Sequence, residues 1–156
     1  MRAHGFTRAL PANPALTGVS PSPVRLSLPA QARNIAVVRR ALEAIAEELA
    51  LPRRLIEDMR LAVTEACTNV IRHAYSEGEA RDAHAMRVEL LPATDGMRVI
   101  VEDRGRGLGP SPDARGPGLG LPLIASLTSQ LEVSHGADER GSRVAMSFAP
   151  TPIEAA

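Results

Sequence analysis

The sequence contains no lysine; all 18 of its basic residues are arginine. This excludes a P-loop lysine, a Schiff-base lysine and a kinase-type strand lysine. Any phosphate must be held by backbone amides, arginine or a metal. Tryptophan is absent, with one tyrosine and two phenylalanines. The core must therefore be aliphatic, and stacking platforms for single-stranded nucleic acid are lacking. The single cysteine, Cys67, rules out a disulfide framework. It sits inside an amphipathic segment and reads as a small core residue. Formal net charge is zero, which argues against a nucleic-acid or membrane-surface protein. No apolar run suits a signal peptide or a membrane span, so a soluble, cytoplasmic chain is expected. His4, His73, His84 and His135 show no metal-ligand spacing, and zinc is not expected. No nucleophile elbow or paired-carboxylate hydrolase signature is present.

What remains is a chain of 156 residues with 44% apolar content. That is one domain, able to bury roughly 70% of its unfolded surface. Met1 to Pro23 carries Pro11, Pro14, Pro21 and Pro23 without hydrophobic period, and reads as a disordered tail. Residues 24–149 form the expected domain, and 150–156 a frayed C-terminal tail.

Within the domain, Val24 to Leu28 alternates as a short strand. Gln31 to Ala50 is helical, with Ile35, Val38, Leu42, Ile45 and Leu49 on one stripe. Pro52 suits the first turn of a second helix, running from about Arg53 to Tyr75. Met59, Val63, Ala66, Val70 and Ala74 make its apolar stripe. Glu65, Asn69 and His73 stack one turn apart on a neighbouring face. Met86 to Leu90 and Met97 to Glu102 alternate as strands around a hairpin loop at Pro92 to Gly96. A Gly- and Pro-rich loop, Asp103 to Pro117, leads to a helix over Leu119 to Thr128. Leu131 to Val133 and Val144 to Phe148 are two further strands. The order βααββαββ predicts a two-layer α+β sandwich, with a mixed, mostly antiparallel sheet and about three helices on one face.

Three short motifs carry chemistry. Glu65-x-x-x-Asn69 pairs a carboxylate with an amide; by itself this also describes a solvated helix edge. Asp103-Arg-Gly105-Arg-Gly107 follows a strand. Its aspartate can accept from an exocyclic amine, and its glycines permit close approach; a turn with a capping aspartate is the plainer alternative. Gly116-Pro-Gly118-Leu119-Gly120-Leu121 opens a helix, where free N–H groups favour anions; a flexible linker is the alternative there.

Taken in order, these motifs resemble the GHKL (Bergerat-fold) ATPase superfamily, and TEACTNVIRHAY looks most like the anti-sigma-factor serine kinases of the RsbW type. The resemblance covers roughly Val24 to Phe148. It implies ATP and Mg²⁺ as cofactors, with Glu65 as general base and Asn69 as Mg²⁺ ligand. It implies Asp103 on the adenine amine, with Gly105 and Gly107 shaping that wall and Ser142 beside it. Gly116, Gly118, Leu119 and Gly120 would form the lid hinge and bind phosphates. Arg115 is the first candidate for a γ-phosphate contact and Arg106 the second. His73 would orient Glu65 or pack at the helix end. The implied activity is phosphorylation of a serine or threonine on an anti-anti-sigma-factor partner, with sequestration of a sigma factor by a homodimer. The lid is short and carries Pro110, Pro112 and Pro117. A nucleotide-dependent partner-switching module without kinase turnover is the alternative that this lid keeps open. A sensor histidine kinase is disfavoured, because Gln31 to Ala50 holds no phosphoacceptor histidine.

Overall fold

The computed structural model describes residues 21–75, 84–107, 120–137 and 139–150. Five strands form one sheet: β1 (Val24–Pro29), β2 (Ala85–Ala93), β3 (Gly96–Asp103), β4 (Gln130–His135) and β5 (Ser142–Phe148), in the order β1-β2-β3-β5-β4. Three helices accompany them: α1 (Ala32–Glu48), α2 (Arg53–Asn69) and α3 (Gly120–Leu127). The α+β reading holds. The sheet, expected to be mixed, is antiparallel at every pairing among the described residues. The connection from β3 through α3 crosses to the edge strand β4, and β5 returns between them, so β5 is antiparallel to both neighbours.

Strand alternation decides which face meets the helices. One row across the sheet reads Leu26, Val88, Val101, Val144 and Val133. The next reads Val24, Leu90, Val99, Met146 and Leu131. Against these rows α1 buries Val38, Leu42 and Ile45, and α2 buries Met59, Val63 and Ala66. All five residues of the expected stripe on the second helix are buried, Val70 and Ala74 included. Arg60 on α2 also reaches Glu43 on α1 at 2.6 Å. The opposite face of the sheet is charged, with pairs Arg25–Glu89 and Arg98–Glu132 at 3.6 and 3.1 Å.

Three boundaries differ from expectation. The hairpin loop narrows to a turn at residues 94 and 95, because pairing continues through Pro92↔Met97 and Ala93↔Gly96. Pro92 is tolerated there because β1 stops at Val24↔Leu90, so no β1 ladder bond needs its missing N–H. The second helix ends at Asn69 and passes into a π-helical turn, Val70–Ala74. A π turn closes i→i+5, and His73 within it is exposed. Finally, α1 closes with Ala50 N–H donating to Glu47 and Leu51 N–H to Ala46, the two bonds of a Schellman cap. That cap needs a left-handed residue, and Ala50 has φ of 52°. Ala50→Gly should stabilise the fold by about 1 kcal/mol, read as a higher urea midpoint.

Cys67 is fully buried in this core. Burial pushes its thiol up to about 12 from 9.0. A thiol reagent near neutral pH should leave native protein unlabelled and label it only in denaturant. The folded pKa is the higher one, so the unfolded chain loses this proton first. The contribution to stability is intact below 9 and falls as pH rises toward 12.

Candidate nucleotide site

Asp103 is the buried charged residue of the described chain, at 3% exposure. It ends β3 on the core-facing side, in register with Met86. Burial of a carboxylate demands donors. Asp103 Oδ1 accepts from Gly105 N–H at 2.8 Å and from Ser142 N–H at 3.3 Å. Among the described residues, Oδ2 accepts from the Ser142 hydroxyl. Two fixed amides therefore hold one oxygen, while the other has a rotatable partner and capacity for a further donor.

Glycines permit this packing. A Cβ on Gly105 would lie 1.8 Å from the Ala74 carbonyl oxygen, so only glycine lets the loop press onto the π turn. Arg106 N–H donates to that same oxygen at 2.9 Å. A Cβ on Gly141 would lie 1.9 Å from the Asp103 carbonyl oxygen, and Gly141 has φ of +71°. Gly107, at φ of +81°, faces Gly141 and His135.

The other end of the site lies on α2. Glu65 and Asn69 are half-buried. The first residue of α3 rests on both: a Cβ on Gly120 would be 2.8 Å from Glu65 Oε1 and from Asn69 Nδ2. The N-terminus of α3, the positive end of its helix dipole, thus stands over a carboxylate and an amide. Pro122 falls in that first turn, where a missing N–H costs nothing. Glu65 and Asn69 in the last five residues of α2, and Ala74 in the π turn that follows, form one continuous spine that carries the carboxylate corner and the support for Gly105 beside Asp103.

The structure brings together Glu65, Asn69 and Gly120 at one end, and Asp103, Gly105, Gly107 and Ser142 at the other. Arg115, Gly116, Gly118 and Leu119, with the lid prolines, lie outside the described residues. Among the described residues no group of three or more His, Cys, Asp and Glu could hold a metal by itself. Asn69 and Glu65 nevertheless offer hard oxygens beside an α-helix N-terminus. This suits Mg²⁺, which takes few protein ligands and keeps its waters and substrate phosphates. Gly141 and Tyr75 escaped the sequence reading. Gly141 immediately precedes Ser142 and was legible only as a turn; Tyr75 appeared only as a helix end. No described helix is long and apolar enough to cross a membrane.

An α+β sandwich with an acidic residue and an amide on one helix, and a buried aspartate at a strand end, defines a nucleotide-binding ATPase class. The chain belongs to the histidine kinase-like ATPase domain family, whose sequence profile matches residues 28–148. It is 31% identical over 123 residues to the serine-protein kinase RsbW of Bacillus thuringiensis (strain Al Hakam), covering 72% of this chain and 77% of that one. It is 34% identical over 128 residues to the serine-protein kinase RsbW of Halalkalibacterium halodurans, covering 72% and 76%. A crystal structure of the RsbU and RsbW domains of a Mycobacterium tuberculosis protein superposes with a TM-score of 0.62 at 22% identity. That match covers 84% of this chain but 34% of the other, and it speaks to the fold alone.

Proposed function

We propose that this protein is an ATP-dependent serine/threonine kinase of the anti-sigma type, acting on an anti-anti-sigma-factor protein and holding a sigma factor. The observation that carries the reading is the close approach of Gly120 to Glu65 and Asn69, at the C-terminal end of α2 that leads into the π turn under the Asp103 loop. Residues 24–149 form the ATPase domain, flanked by tails at 1–23 and 150–156. Asp103 Oδ2 accepts from the adenine amine, with Ser142 steadying it and Gly105 and Gly107 shaping the wall. Asn69 would hold Mg²⁺ together with the triphosphate, and the ion would neutralise phosphate charge. Gly116, Gly118, Leu119 and Gly120 present backbone N–H groups to the phosphates, and Arg115 meets the γ-phosphate, with Arg106 as the other candidate.

Glu65 takes the proton of the acceptor hydroxyl. The hydroxyl oxygen forms its bond to the γ-phosphorus as the bond to the bridging oxygen breaks, and ADP leaves. Such transfer depends on positioning and charge stabilisation more than on covalent help, which is consistent with the absence of lysine. A homodimer follows the same family reading.

The test is incubation with γ-labelled ATP, Mg²⁺ and the anti-anti-sigma partner, beside calorimetry with ATP alone. Label on a partner serine or threonine supports the kinase. Binding without transfer leaves a nucleotide-dependent partner switch instead, and no binding removes both.

A further inference from the structure

Tyr75 is the chain's one tyrosine and has no place in the chemistry above. It follows the π turn, where the backbone becomes extended with φ of −127° and ψ of 142°. Its hydroxyl donates to the Ala85 carbonyl at 2.6 Å and accepts from the Arg104 N–H at 3.2 Å. Ala85 and Arg104 lie one position beyond Met86↔Asp103, the last pair of the β2–β3 ladder. The phenol is therefore interposed where a further ladder position would fall. It carries the link between the two backbones while letting them part. The parting begins at Asp103. The ring is held as well, stacked on His84 with centroids 4.3 Å apart and planes 8° from parallel. Next to it, the Ala74 carbonyl takes the Arg106 N–H and blocks any side chain at Gly105.

We infer that Tyr75 is a positioning residue for base recognition: its hydroxyl sets where β3 leaves the sheet, and so where Asp103 Oδ2 points. This inference rests on the reading of Asp103 as the adenine contact. Arg104 and Gly105 are the two residues after Asp103, and both are tied to the end of the π turn, one by the Tyr75 phenol and one by close packing on Ala74. Without the hydroxyl, the Ala85 carbonyl and the Arg104 N–H must pair directly or with water. Either outcome moves the segment that supplies the Gly105 N–H to Asp103 Oδ1. Glu65 and Asn69 lie in the last five residues of α2, directly before the π turn that leads to Tyr75.

The probes are ATP and ITP, measured by calorimetry on the full chain with Mg²⁺. ITP carries a carbonyl where ATP has its exocyclic amine, so it cannot donate to Asp103. Tyr75→Phe keeps the ring on His84 and removes only the hydroxyl. It should weaken ATP binding roughly fivefold, the scale of one lost hydrogen bond, and leave ITP binding nearly unchanged. In steady-state transfer, the KM for ATP should rise while kcat holds. Equal weakening of ATP and ITP, or no change in either, overturns the inference. Asp103→Asn separates the two levels. Its amide keeps an oxygen toward Gly105 and Ser142 and turns an N–H outward, so the ATP preference over ITP should vanish or invert. If it persists, the reading of Asp103 fails and the inference fails with it. If Asp103→Asn loses the preference and Tyr75→Phe keeps it, only the inference fails.

Discussion

Glu65→Gln is expected to cut phosphoryl transfer by about 10²- to 10⁴-fold, the range contributed by a positioned general base, with ATP binding retained. Glutamine matches glutamate in size, so the contact with Gly120 survives. What disappears is the carboxylate proposed to accept the hydroxyl proton. Asn69 is untouched, so the oxygen proposed for Mg²⁺ stays in place. Single-turnover label transfer should show the slow step, while calorimetry with ATP shows little change. A Gln variant that transfers label at the wild-type rate removes Glu65 from the role of base. Parallel losses of binding and transfer would instead make Glu65 part of the nucleotide cradle.

The second large effect belongs to Gly105→Ala. The added methyl would lie 1.8 Å from the Ala74 carbonyl oxygen and 2.4 Å from its carbon. Both are backbone atoms of a buried residue in the π turn, so no side chain can swing aside. The loop must lift, which breaks the Arg106 bond to Ala74 and the Gly105 bond to Asp103. The buried carboxylate then loses one of its fixed donors. A destabilisation of about 2–3 kcal/mol follows, lowering Tm by several degrees. ATP affinity should fall by roughly tenfold or more, because a charge-assisted contact depends on carboxylate aim. Gly107→Ala is the comparison. Its Cβ would meet Gly141 at 3.2 Å, although φ of +81° adds strain, so its effect should be smaller. Equal Tm for wild type and Gly105→Ala would show that the loop does not pack on the π turn in solution.

Much of this protein was legible in its residue order. The apolar stripes on α1 and α2 are periodic signals, and side-chain period alone determines which face is buried. The alternation in β2, β3 and β5 likewise determined the inward rows, and the tight hairpin favoured antiparallel pairing. The three motifs pointed to the family because their types and order are chemical requirements that a linear chain can display. Cys67 was readable as core for the same reason as its neighbours on the stripe.

Other features depended on packing between elements distant in sequence. The π turn at Val70–Ala74 is invisible to a four-residue period, and His73 within it is exposed. Pro92 reads as a loop residue, and joins a strand because its neighbour on the β1 side has already ended. The two hydrogen bonds of the Tyr75 hydroxyl join positions 10 and 29 residues away, and no local pattern encodes such a bridge. Gly120 reads as one glycine among several until α3 is laid across α2, when its missing side chain becomes the space that Glu65 and Asn69 occupy. Local periodicity and residue chemistry determined the elements and the cast of the site. Tertiary structure decided their aim, because burial and hydrogen bonding act between atoms that only the folded chain brings within reach.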